Sequence, residues 1–300
     1  MVYSSFDQLV EQVRKSSSMK KLLVVSAHAN HALDAAIKAY DEKVAEPILI
    51  GDKGRIIECL HSLGEERKFD IIDIPDPEEA VQRAADMINA GEGDILLKGL
   101  VDTGILLKIM FKKENKMRIS DVVSGVSFSK IETYHKILGM TDAIINPYPN
   151  INQKRAMIQN AVDAMTAMGW SCPKVGVLAA VEKVNPKMPE TLEAAELKTM
   201  WQEGKIRNCI VEGPISLDLC IDPESAKEKR YDSPVAGDAD LLLCPNIHAA
   251  NIAVKMAFCT GHNVSASIVC GLKTPAVLSS RGASVGTKFR GILLGAGMCR

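Results

Sequence analysis

Four short stretches of this 300-residue chain gather side chains that could handle an anion or a carbonyl group. Ser279-Ser280-Arg281-Gly282-Ala283-Ser284 sets hydroxyls, one guanidinium and a glycine ahead of an apolar helical stretch. Such a set can cradle an anion, because backbone N–H groups, the positive end of a helix dipole and a bidentate guanidinium converge there. The same residues also read as an ordinary helix N-cap at Ser284 with Arg281 at the surface. Lys98-Gly99-Leu100-Val101-Asp102-Thr103 follows an apolar run. Glycine lets backbone approach a ligand, and Lys98 and Thr103 can meet an anion; a plain turn with a solvated lysine is the other reading. Pro245-Asn246-Ile247-His248-Ala249-Ala250-Asn251 offers His248 as general base, hydrogen-bond donor or turn residue, and Asn251 as helix cap or substrate contact. Glu212-Gly213-Pro214-Ile215-Ser216-Leu217-Asp218 brackets a Gly-Pro turn with two carboxylates, which also fit a solvated surface.

Other chemistries lack their residues. The chain has no G-x-x-x-x-G-K-[ST], no G-x-G-x-x-G after its first strand and no H-E-x-x-H, so P-loop, simple dinucleotide-binding and zincin readings lose support. None of the eight cysteines forms C-x-x-C or joins a histidine pair at zinc spacing. Cys209, Cys244 and Cys270 sit in apolar runs and read as small buried hydrophobes in a reducing cytoplasm. Thirty-six basic against 37 acidic residues leave a net charge of −1, with no general pull toward nucleic acid or an anionic membrane. Aromatic residues, at 4%, are too few for stacking platforms on single strands. The longest uncharged stretch, between Lys255 and Lys273, carries Thr260, His262, Asn263 and two serines, which is costly in lipid.

The elements that must position the candidate residues are legible as alternation. Apolar runs at 22–27, 47–51, 69–74 and 94–99 read as strands, with helical periodicity at 31–43, 53–63 and 77–91 between them. The pattern resumes with strands at 174–180, 208–213, 240–245, 264–271 and 275–278 and helices near 189–203 and 249–260. This predicts an α/β fold built of βαβ units, with largely parallel strands covered on both faces. Phe6, Leu9, Val10 and Val13 share one face of an N-terminal surface helix, not a secretory signal. Residues 141–150 read as a strand running into a Pro/Asn turn before a helix at 151–170, and mark a domain boundary. In such sheets, ligands bind beyond the carboxyl ends of strands, where the four stretches lie.

Taken in order, TDAIINPYPNINQKRAMIQNAV, KVGVLAAVEKVNPKMPETLEAAEL, IVEGPISLDLCI, VAGDADLLLCPNIHAANIAVKMA and PAVLSSRGAS resemble the phosphate acetyl/butyryltransferase family. The resemblance covers roughly residues 20–294, and the VEKVNPKMPETLEA wording is closer to the butyryl branch. It implies two α/β/α domains with mainly parallel sheets and a cleft between them, an isocitrate dehydrogenase-like architecture. The first domain takes 1–140 and 265–300, the second 141–264. The implied activity is reversible transfer of a short acyl group, butyryl favoured over acetyl, from coenzyme A to inorganic phosphate. Both are substrates, and no metal or redox cofactor takes part. The protein is expected to be a cytoplasmic homo-oligomer with no nucleic-acid or membrane partner.

By the resemblance, Ser280 and Arg281 grip phosphate, with Ser284 beside them. Lys98-Gly99 and Thr103 match a Lys-Gly…Thr stretch at the cleft, Asn251 the Asn opening a helix, and Asp218 the second Asp of an Asp-Gly-Pro…Asp block whose first is Glu212 here. Lys98 is expected to stabilise phosphate or a developing oxyanion. His248 stands where the family more often has an acidic or small residue, and reads as a donor to the thioester oxygen, as the base for the thiol in reverse, or as a residue that only caps its turn. The chain departs from the family pattern at Asn246, His248, Ala250 and Ala283, at Thr287 where the acetyl branch has its proposed base, and at Gly125. Two rivals remain: a catalytically inactive coenzyme A- or metabolite-binding protein, and a metal- and nicotinamide-dependent decarboxylating dehydrogenase of the same architecture, for which the acids at 218 and 222 are few.

Overall fold

The computed structural model describes residues 3–15, 18–259, 263–280 and 282–299. In chain order the elements begin α1 Phe6–Arg14, β1 Lys20–Val25, α2 Asn30–Asp41, β2 Ala45–Gly51, α3 Lys53–Ser62, β3 Asp70–Asp73, α4 Pro77–Asn89, β4 Ile95–Lys98 and α5 Thr103–Met110. They continue β5 Ser124–Lys130, β6 Ile137–Thr141, α6 Ile151–Met168, β7 Lys174–Leu178, α7 Pro189–Gln202, β8 Ile210–Ile215, α8 Leu217–Ile221 and α9 Pro223–Glu228. The last are β9 Leu241–Leu243, α10 Ile247–Cys259, β10 Val264–Cys270, β11 Ala276–Val277 and α11 Val285–Met298.

These form two compact units. One comprises Asp7–Ile119 with Ala266–Arg300, the other Met1–Phe6 with Ser120–Ser265. The N-terminal segment of the first unit therefore runs 7–119 rather than 1–140. The reason is pairing: β5 runs antiparallel to β6 and β6 parallel to β9, which binds residues 124–141 to the second unit.

In the first unit the strands run β3-β2-β1-β4-β11, all neighbours parallel, and β10 joins β11 antiparallel. Leu22, Leu23, Val24 and Val25 of β1 are all fully buried, which their apolar character on both alternations requires of a central strand. Small residues let the helices sit close: Ala32, Ala35, Ala36 and Ala39 are the buried face of α2, and Ala80, Ala84 and Ala85 that of α4. Asp52, Asp76 and Asp102 start α3, α4 and α5 by accepting from backbone N–H groups.

In the second unit the order is β5-β6-β9-β7-β8, parallel except for β5. Helix α6 opens with a capping box between Asn150 and Gln153 and closes on Gly169 at φ 111°. The expected strand at 141–150 is a correction: the strand is 137–141, and the chain then turns out of the sheet. Asp142 causes the turn by accepting from the N–H groups of Ile144, Ile145 and Asn146. Trp170 stacks edge-on against Tyr3, centroids 4.6 Å apart, and lies 6.2 Å from Phe128.

Candidate active site

Strand order in the first unit reverses direction between β1 and β4, the place where open α/β sheets bind ligands beyond their strand ends. The two chain segments leaving these strands are knitted together. The N–H of Gly99 donates to Val25 O and that of Leu100 to Ser26 O, both at 2.9 Å. A Cβ at position 99 would lie 2.3 Å from Ser26 O, so only glycine permits this approach. Lys98, 3% exposed, ends β4 and donates from Nζ to Val101 O at 3.2 Å. Thr103 is half-buried at the first position of α5.

Because β11 runs parallel to β4 with Val277 opposite Leu97, Ser279 and Ser280 leave the adjacent strand at the edge where Lys98 ends its own. The structure thus brings Lys98 and Ser280 to neighbouring strand ends. Ser284 is spoken for as the N-cap of α11, its Oγ accepting from Thr287 N at 3.2 Å. Arg281 lies outside the described residues.

One residue of this neighbourhood was not singled out from the sequence. Lys288 on α11 is 3% exposed and donates from Nζ to Ser279 Oγ at 3.1 Å and to Ser280 O at 2.9 Å. Burial lowers its pKa, and the charge of Lys98 lowers it further. The signal was present: Lys288, Gly291, Ile292 and Gly295 follow helical spacing and share the buried face of α11.

The second unit holds the other candidates. His248 is exposed in the first turn of α10, its ring 5.6 Å from that of Tyr148. Asn246 caps the turn by accepting from Ala249 N at 3.0 Å, and Asn251 Nδ2 donates to Ala143 O at 3.0 Å. Asp218 sits in a surface cluster: Lys229 Nζ lies 2.9 Å from it and 3.3 Å from Glu182, which also accepts from Ser216 Oγ. Hydrogen bonding from Ser216, then from Lys229, brings the Asp218 carboxyl down to about 2. Glu212 is paired with Lys198 at 2.6 Å and accepts from Ser233. Burial pushes the Cys220 and Cys244 thiols up to about 12, which keeps them from acting as thiolates. Among the described residues no cluster of three or more His, Cys, Asp or Glu is placed to hold a metal ion, and no helix is long and apolar enough to cross a membrane.

In this mostly parallel α/β protein a buried lysine and a serine turn lie at neighbouring strand ends, where such sheets bind their ligands. A family model described as "Phosphate acetyl/butaryl transferase" matches residues 58–296. The chain is 41% identical over 291 residues to a phosphate acetyltransferase of Thermotoga maritima, covering 97% of this chain and 98% of that protein. It is 35% identical over 293 residues to a phosphate butyryltransferase of Clostridium acetobutylicum, covering 97% of each. The crystal structure of a branched-chain phosphotransacylase from Enterococcus faecalis superposes with a TM-score of 0.82 at 27% identity, covering 94% of this chain and 99% of that one. A 4-hydroxythreonine-4-phosphate dehydrogenase from Burkholderia phymatum, at 16% identity and a TM-score of 0.57 over 94% of this chain and 99% of that one, shares the fold alone. The chain belongs to the phosphate acetyl/butyryl transferase family and is a phosphate acyltransferase.

Proposed function

We propose that the protein moves a short acyl group, butyryl in preference to acetyl, between coenzyme A and inorganic phosphate by direct attack of phosphate on the thioester carbonyl. The observation that carries the phosphate side is the placement of Lys98 and Ser279-Ser280 at the ends of adjacent parallel strands. Phosphate is a nucleophile at neutral pH, so the protein's task is to hold it, offset its charge and align it. Arg281 and Ser280 are assigned to gripping it, with Ser284 shortly after them in the chain and Thr103 shortly after Lys98. Lys98 is assigned to the charge that builds as the new O–C bond forms. The C–S bond then breaks and the thiolate leaves. A thiol pKa of about 8.5 makes this departure far easier than that of an alcohol, which fits a chain with Ala283 and Thr287 where carboxylates were expected. His248, Asn251 and Asp218 are assigned to the acyl-coenzyme A side.

Butyryl selectivity rests on the VEKVNPKMPETLEA stretch and is supported by the likeness to a branched-chain phosphotransacylase. Acetyl selectivity is the second reading, favoured by the 41% identity to a phosphate acetyltransferase. Self-association is part of the proposal, supported by Ile252 and Met256 of α10, exposed at 68% and 63%. So is a cytoplasmic setting, which fits Cys209, Cys220, Cys244 and Cys270 buried as thiols. The test follows thiol release from a panel of acyl-coenzyme A thioesters with phosphate. Two extra methylenes in an apolar site at ~0.8 kcal/mol each give butyryl an advantage of about tenfold in kcat/KM over acetyl. A clear win for acetyl reverses the acyl assignment, and binding of thioester without thiol release makes the chain a binding protein.

A further inference from the structure

Lys288 stands out among the buried cations. Lys136 and Lys154, the other buried lysines outside the candidate site, each have carboxylate partners: Asp238 and Asp240 for the first, Glu193 for the second. Lys288 has only neutral ones, the hydroxyl of Ser279 and the carbonyl of Ser280, and no carboxylate among the described residues. The charge that does act on it is that of Lys98, a like charge from β4. Burying an ammonium group against neutral oxygens and a second cation is costly unless an anion completes the site. Both of its hydrogen bonds end on the segment that leaves β11 toward Arg281 in the sequence.

We propose that Lys288 is a positioning residue for inorganic phosphate: it clamps the Ser279-Ser280 turn from beneath and adds to the positive charge of Lys98, which bound phosphate neutralises. The inference rests on the phosphate acyltransferase reading for the identity of the anion. The clamp acts through both contacts at once. The bond to the Ser280 carbonyl fixes the backbone that aims the Ser280 hydroxyl, while the bond to Ser279 Oγ turns that hydroxyl's oxygen inward and away from competing for the ligand. Ile292, one turn further along the same buried face, is apolar, and the burial of Lys288 itself limits screening of its charge by water.

Two variants test this, Lys288→Met and Lys288→Gln, the second keeping a hydrogen-bond donor on a side chain one bond shorter while losing the charge. In steady-state kinetics both raise the KM for phosphate by about tenfold or more, the scale of one lost charge-assisted contact, and leave the KM for the acyl-coenzyme A thioester within about twofold. In a separate arm without coenzyme A, inorganic phosphate raises the melting temperature of the wild-type protein relative to chloride at equal ionic strength, and the shift is lost in Lys288→Gln. A thermal shift produced by free coenzyme A and abolished by the same variant, with the phosphate shift intact, assigns the lysine to the phosphates of coenzyme A and overturns the proposal. So does a folded Lys288→Gln protein with wild-type phosphate KM and wild-type stabilisation by phosphate, or one in which both KM values rise equally. If the wild-type protein transfers no acyl group yet shows the Lys288-dependent phosphate shift, the acyl-transfer reading fails and the phosphate site stands.

Discussion

The side-chain amide of Asn251 lies 3.0 Å from the carbonyl oxygen of Ala143, so the first turn of α10 is tied to the loop that follows β6. The same loop is gathered by Asp142 and pinned again where Asn146 Nδ2 donates to Val123 O at 2.9 Å. His248 is therefore carried on a turn with fixed neighbours on both sides of it in the chain.

Asn251→Ala leaves the Ala143 carbonyl without its donor and lowers unfolding stability by about 1–2 kcal/mol. Asn251→Asp sets an acceptor against the carbonyl and costs more. Urea denaturation of the two variants beside wild type checks the order; equal midpoints in all three would remove the tie as a structural element.

Arg281→Ala raises the apparent KM for phosphate and lowers turnover by ~10²–10³, the scale for losing one preorganised charge stabiliser. Arg281→Lys recovers only part, since an ammonium group cannot form the planar fork. Initial-rate kinetics at varied phosphate decide it, and unchanged phosphate dependence in the alanine variant returns Arg281 to the surface.

For His248 the measurement is a pH–rate profile in both reaction directions, wild type beside His248→Gln. A histidine that moves a proton in the reaction gives a pH-dependent limb that the variant lacks. Matching profiles with rates within about threefold would leave His248 as the partner of Tyr148 and nothing more.

Asp238 is one of the carboxylates, with Asp218, that make stability sensitive to acid. Burial pushes its carboxyl up, but Lys136, Lys174 and His135 together outweigh burial and hold it at about 2. The unfolded value is ~3.9, so the stabilisation is complete above that pH and is lost as pH falls toward 2. Wild-type stability should drop between about pH 4 and pH 2, and Asp238→Asn should flatten that part of the curve while lowering stability at pH 7. Thermal melts across this range test both. A variant curve parallel to wild type would place the acid sensitivity elsewhere.

How much of this was readable without coordinates depended on where burial was apolar. Leu22–Val25 and Ile95–Leu97 announce central parallel strands because both alternations are hydrophobic. β5 escapes such a reading: Ser124, Ser127 and Ser129 are buried polar residues, and only Val126 and Phe128 carry the pattern. What compensates them is tertiary, such as the bond from Asn160 Nδ2 to Ser124 Oγ at 3.1 Å. Ala143-Ile144-Ile145 misleads in the other direction, an apolar run that leaves the sheet because Asp142 captures its N–H groups. Among the candidate residues, the places of Lys98 and Ser280 at strand ends were legible from the apolar runs before them. Lys288 was hidden because a lone lysine in an apolar helix reads as solvated unless its helical face is counted.

The discontinuity of the first unit bears on how the chain is made. Residues 7–119 emerge from the ribosome carrying β4, whose outer neighbour β11 is still some 150 residues away in synthesis. Residues 120–265, the bulk of the second unit, are translated in between. Until Ala276 and Val277 arrive, β4 has an open edge able to pair with another nascent chain, and Lys98 waits at its end without Ser280 or Lys288. Any anion site at these strand ends is therefore completed only once residues 276–288 have been made, so a polypeptide interrupted before them carries the exposed edge without the chemistry.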